Sequence, residues 1–140
     1  MTFEELDEKL PNGFHDAKIH AINVDFAGRR VVIRMGLLTG LPETESPEGW
    51  RAATLTVQPA YLSFIEPPDA SYPFMPQGRP LNVDGSPVTM AQGAAIDELL
   101  PILPKGATTF RFFLEEWNSF FYISGGGVDL SWDDGGEKSR

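Results

Sequence analysis

The sequence predicts an α+β domain: a mainly antiparallel, curved or sandwich-like sheet with a short N-terminal helix and one central helix. Three observations lead there. Stretches of β character fill both halves of the chain, and one amphipathic stretch, Ala91 to Leu103, lies between them. The strand–helix–strand alternation that builds parallel sheets is missing. Gly 14 and Pro 12 in 140 residues indicate many turns without reaching a low-complexity composition. A chain of this length fits one domain, 1–140, with the polar tail 133–140 expected to fray.

The elements follow from local pattern. Thr2-Phe3-Glu4-Glu5 has the capping-box form, so a short helix is expected with Phe3, Leu6 and Leu10 near one face. Pro11-Asn12-Gly13 stops it. Ile19 to Phe26 and Arg30 to Leu37 read as a hairpin joined at Ala27-Gly28-Arg29, with Val31, Ile33, Met35 and Leu37 on one face. The apolar parity of the first strand shifts from odd at Ile19 to even at Ile22, which predicts a bulge near Ala21. Leu41 to Gly49, rich in proline and glutamate, reads as an exposed loop.

Trp50 to Val57 resumes β character, and Tyr61 to Ile65 continues it. Pro59 cannot donate to a ladder, so this strand must break there or lie on an edge. Residues 69–88, with Pro73, Pro76, Pro80 and Pro87, are expected to be irregular apart from a short strand near Leu81 to Val83. In the central helix, Ala91 to Leu103, the residues Ile96, Leu99, Leu100 and Leu103 share a side and Pro101 kinks or ends the helix. Thr108 to Leu114, Phe120 to Ser124 and Val128 to Trp132 read as a three-strand meander, with Gly125 to Gly127 as a hairpin turn. Aromatic residues fall on both parities of Phe110 to Tyr122, which predicts cover on both faces, by the helix on one and by another sheet or subunit on the other.

Composition narrows function. Cysteine is absent, which excludes disulfides, thiol nucleophiles and thiolate metal sites. The acidic start, Met1 to Lys9, lacks the basic and apolar runs of a signal peptide, so a cytoplasmic protein is expected. No apolar stretch approaches the roughly 20 residues that span a bilayer. The net charge of −9 is spread along the chain, with 11 acids against 6 bases in residues 1–70 and 9 against 5 in residues 71–140. Such a field repels nucleic acid and anionic lipid and speeds encounter with a basic protein.

His15-Asp16 is the pair that most resembles chemistry, since a histidine beside a carboxylate can serve as a general base or a metal ligand. On an extended strand, however, His15 and His20 face opposite sides, and Asp16 lies about 13 Å from His20. The expected role of His15 or Asp16 is therefore to hydrogen-bond the backbone of the turn at Asn12-Gly13. Ser124 sits in no nucleophile elbow, and Gly125 to Gly127 lacks the Lys-Ser or Lys-Thr of a phosphate loop. Asp129 to Asp134 begins like a calcium loop but has Asp134 where glycine is needed and Arg140 where the bidentate glutamate belongs. The aromatic run from Phe110 to Tyr122 sits among Glu115 and Glu116, the wrong charge for a base-stacking platform. No metal, cofactor or catalytic residue is expected.

The run Leu10-Pro11-Asn12-Gly13-Phe14-His15-Asp16-Ala17 leads into a strand ending Val24-Asp25-Phe26 and a strongly β return strand. It resembles the opening of small bacterial proteins of uncharacterised function, some of them similar to immunity proteins encoded beside polymorphic toxins. The likeness covers about the first 35 residues, with weaker correspondence at Trp50 to Val57 and Glu66-Pro67-Pro68. It implies a protein that binds and blocks a toxin, and it carries over no catalytic residue. The leading expectation is thus a non-enzymatic protein-binding domain, immunity-like, with a basic protein as partner and neither nucleic acid nor membrane. Two alternatives stay open. One is a small-molecule binding or enzymatic domain with a pocket lined by Trp50, Tyr61 and Trp117 and with His15 and Asp16 at its rim. The other is a structural subunit that forms homo-oligomers.

Overall fold

The structure is a computed structural model, which describes residues 1–40, 49–71, 78–88 and 95–133. The helix α1 (Phe3–Lys9) opens the chain, followed by β1 (Ala17–Asp25), β2 (Arg30–Leu38), β3 (Trp50–Val57), β4 (Ala60–Ile65) and β5 (Leu81–Pro87). Two 3₁₀ turns (Ala95–Glu98 and Leu100–Ile102) precede β6 (Thr108–Leu114), β7 (Ser119–Gly125) and β8 (Val128–Trp132). All pairings are antiparallel. They give one eight-stranded sheet in the order β4-β7-β6-β5-β1-β2-β3-β8.

The capping box forms as its sequence dictates, the Thr2 hydroxyl accepting from the Glu5 amide and the Glu5 carboxylate from the Thr2 amide. This satisfies amides that the first helical turn leaves without partners. Phe3, Leu6 and Leu10 are buried, and Phe3 stacks on Phe110 at 5.0 Å. The inner face of β2 is Val31, Ile33, Met35 and Leu37, and β3 adds Ala53, Leu55 and Val57 to the same core. Each large side chain so enclosed contributes about 1.5–3 kcal/mol by leaving water. The β1 register shifts between Ile19 and Ala21, where the parity change places it.

β3 and β4 are halves of one strand, bent at Pro59, and β7 and β8 are halves of its partner. Val57 pairs with Val128 before the bend and Ala60 with Gly125 after it. Across the corner the Gln58 amide donates to the Gly127 carbonyl at 3.1 Å and the Gly126 amide to the Pro59 carbonyl at 2.8 Å. The two ends of the strand order, β4 and β8, thus belong to a single ribbon, and the sheet curls around its core.

Several expectations are corrected. Gly125 to Gly127 is a corner and not a hairpin turn, so the meander stops at β7 and β8 pairs with β3. A local pattern shows that a strand follows but not which neighbour it joins. β5 runs to Pro87 instead of ending at Val83, because pairing with β6 overrides the poor β propensity of Asp84, Gly85 and Ser86. Where residues 95–103 are described, 3₁₀ turns replace the central α-helix. Pro101 and Pro104 remove the amides that a longer helix needs. This segment nevertheless covers the outer face of β7, with Val88, Ile96 and Tyr122 buried in a second, smaller core. The aromatic strands are covered on both faces, as their parity predicts, and the inner cover is the curled sheet itself. Residues 41–48, 72–77, 89–94 and 134–140, on which the expected exposed loop, the start of the expected central helix and most of the expected frayed tail fall, lie outside the described residues.

Candidate functional site: an acidic cluster around His15

The segment between α1 and β1 is held by side chains from α1 and β5 and by its own Asn12. The Phe14 amide donates to Asp7 Oδ1 at 2.9 Å, and the Asp16 amide to Asp84 Oδ1 at 2.9 Å. Asn12 Nδ2 donates to the carbonyls of Leu38 and Gly40. The Phe14 ring sits edge-on to Phe110 and Phe112 and anchors the turn in the core. Asp16 itself has a φ of 52°, a left-handed conformation that a short polar residue tolerates better than a branched one.

His15 projects from this turn with its imidazole 63% exposed. Its Nδ1 lies 2.7 Å from Asp84 Oδ1, and its Nε2 lies 3.5 Å from Asp16 Oδ2. The first distance is a charge-assisted hydrogen bond that orients the ring. The second is at the limit for one. Glu115, in the turn after β6, belongs to the same cluster. Its carboxyl is raised above the ordinary range, first by partial burial and then by the carboxylates of Asp84, Glu116 and Asp16, against the opposing influence of His15. Glu116 turns back to accept from the Asn82 amide and side chain at 2.8 and 2.6 Å. The result is a patch of like charge: among the described residues no Lys or Arg forms an ion pair with Asp16, Asp84, Glu115 or Glu116.

Trp50 borders the patch, its Nε1 donating to the Asp16 carbonyl at 3.0 Å and its ring carrying Lys18 Nζ at 4.5 Å. His15, Asp16 and Trp50 are therefore brought together. Tyr61 and Trp117 are not part of this group. Tyr61 lines a cleft with the β1–β2 hairpin end, and Trp117 a second cleft with Ile19, His20 and Arg79. The aromatic pocket expected from the sequence is thus divided among separate places.

The expectation that the Asp16 or His15 side chain satisfies the turn amides is also corrected. Asp7 and Asp84 accept those bonds, while the Asp16 side chain faces His15. Asp84 sits in a stretch that reads as irregular, 68 residues from Asp16, and nothing local signals their meeting. Chemically, Asp84 and His15 form an oriented carboxylate–imidazole pair, and His15, Asp16 and Asp84 present donor atoms within 4.8 Å of one another. These are the atoms that could hold a cation. Comparison with family models, curated proteins and solved structures gives no match to this chain.

Two outcomes test this arrangement. Asp84→Ala should cost about 1 kcal/mol in urea unfolding, the scale of a lost partly exposed hydrogen-bond acceptor, whereas Asp16→Asn, which keeps a residue suited to positive φ, should lie within about 0.5 kcal/mol of wild type. Equal losses would contradict the division of roles. The raised Glu115 carboxyl means that the folded state holds its proton more tightly than the unfolded state, so its contribution falls as pH rises through that window. Glu115→Gln should accordingly be more stable than wild type at pH 7, with the advantage gone below about pH 4; a pH-independent difference would contradict the crowding.

Proposed function

We propose that this chain is a non-enzymatic, cytoplasmic protein-binding domain that acts as an immunity-like inhibitor of a basic partner. The observation that carries the reading is the acidic patch: Asp16, Asp84 and Glu115 crowd around His15, and the proton affinity of Glu115 rises, first through partial burial and then through the neighbouring carboxylates. A folded chain gains nothing in stability from such crowding. A cationic protein surface, of the kind a nuclease needs to hold nucleic acid, removes the repulsion on docking. Trp50, at the margin of the patch, adds a rigid aromatic contact of the type that anchors interfaces. The overall charge of −9 extends the same attraction to long range, where it acts on the rate of encounter.

The decisive experiment pairs the chain with the product of its neighbouring gene. Stopped-flow association should slow by about tenfold or more between 50 and 300 mM salt while dissociation changes little. The Asp84→Asn, Glu115→Gln double variant should associate more slowly than wild type at low salt. A complex whose association rate ignores salt, or a neighbouring product that does not bind, overturns the reading.

A further inference from the structure

A strand-shaped slot interrupts the curl of the sheet. β5 pairs with β1 only at Ala17 to Ile19. Beyond that point β1, from Ala21 to Asp25, is bonded on its β2 side alone. β4 is the end of the strand order, bonded on its β7 side alone. These two free edges face each other. Val24 to Phe26 and Ala60 to Ser63 line opposite sides of one cleft of about 370 Å³, and Ile19 to Ile22 and Ile65 line a second of about 190 Å³ further along. One end of the slot is tied by the Ala60 amide, which donates to the Arg29 carbonyl at 2.7 Å. Among the described residues no backbone bond crosses between the edges elsewhere.

The slot is apolar in a chain that is otherwise acidic. Val24, Phe26 and Ile65 are 41%, 87% and 45% exposed, three of the five large apolar side chains left in water among the described residues. An unpaired edge that carries no charge on β4 is a template for another strand. The charges at its margins are mainly positive. Arg30 is matched by Asp25 at 3.0 Å. Arg29, which lies over the Tyr61 ring, and Arg79, at the other end, pair with no carboxylate among the described residues.

We infer that the slot between β1 and β4 accepts an extended segment of another protein by strand addition, an apolar stretch of about five residues with a carboxylate at each end. Such a segment bonds both edges, covers Val24 and Ile65, and places its acids against Arg29 and Arg79. A second copy of this chain fits less well. Of its two end strands, β4 is followed by Glu66 and Asp69, whose carboxylates already accept from the Phe120 amide and from Ser71 and Asn118, and at the ends of β8 the Val128 amide is taken by the Met1 carbonyl and the Asp133 carboxylate by Thr54. The inference is independent of the acidic patch, which lies around His15 and asks for opposite charge.

Amide hydrogen exchange and NMR titration with two synthetic peptides test it. Both alternate valine and threonine; one ends in glutamates and the other in lysines. The glutamate peptide should protect amides within 21–25 and 61–65 and bind about tenfold more tightly than the lysine peptide, and Arg29→Glu should narrow or reverse that preference. Protection at neither edge, or equal binding of the two peptides to wild type, overturns the proposal. So does protection that grows with protein concentration alone, alongside dimers in sedimentation, which would assign the slot to a second copy.

Discussion

The corner at which Pro59 faces Gly125 to Gly127 determines the rest of this architecture. A Cβ on Gly125 would collide with Val57 and come within 2.7 Å of the Pro59 carbonyl, and one on Gly126 would press on the Pro59 ring at 2.9 Å. Two backbones therefore approach more closely than any side chain permits, and the ribbon keeps its pairing on both sides of the bend. Because that ribbon supplies both ends of the strand order, the eight strands wrap a common core instead of forming a flat sheet with long exposed edges. Phe3, Phe14, Phe110, Phe112 and Phe121 are enclosed by the wrap.

The same curvature creates both surfaces of functional interest. Curling brings β5 beside the turn before β1, so that Asp84 meets His15 and the Asp16 amide. It also carries β4 round toward β1, where the pairing with β5 has already ended, and a cleft remains between the two unpaired edges. One surface gathers carboxylates and the other is apolar with arginine at its margins. Each is a local departure from what stability alone selects: repulsion in the first case, unpaired edges and exposed Val24 and Phe26 in the second. Such departures are expected where a protein meets a partner.

Much of the fold was legible because its signals are local. The capping box, the alternation in β2, the bulge near Ala21 and the break at Pro59 each follow from residues within a few positions of one another. What the sequence concealed depends on distant residues. Asp84-Gly85-Ser86-Pro87 looks irregular, yet it is a strand because β6 lies alongside; the Gly85 amide donates to the Phe14 carbonyl at 3.1 Å, tying it to the turn before β1. The three glycines have the composition of a hairpin turn, and only the proximity of Val57 and Pro59 reveals a corner. Half of the site was visible in His15 and Asp16. Asp84 and Glu115, which complete it, reach them through the sheet and leave no spacing signal.

The most direct test of the account compares alanine at two positions of the corner, Gly125 and Gly127. At Gly125 an added Cβ meets Val57 and the Pro59 carbonyl, whereas at Gly127 the nearest atom, the Gln58 carbonyl oxygen, is 3.7 Å away. Equilibrium unfolding should show Gly125→Ala losing about 2–3 kcal/mol or failing to fold, the usual result of forcing an atom into a packed site, with Gly127→Ala within about 0.5 kcal/mol of wild type. Similar small losses at both positions would mean that the corner does not hold the fold together.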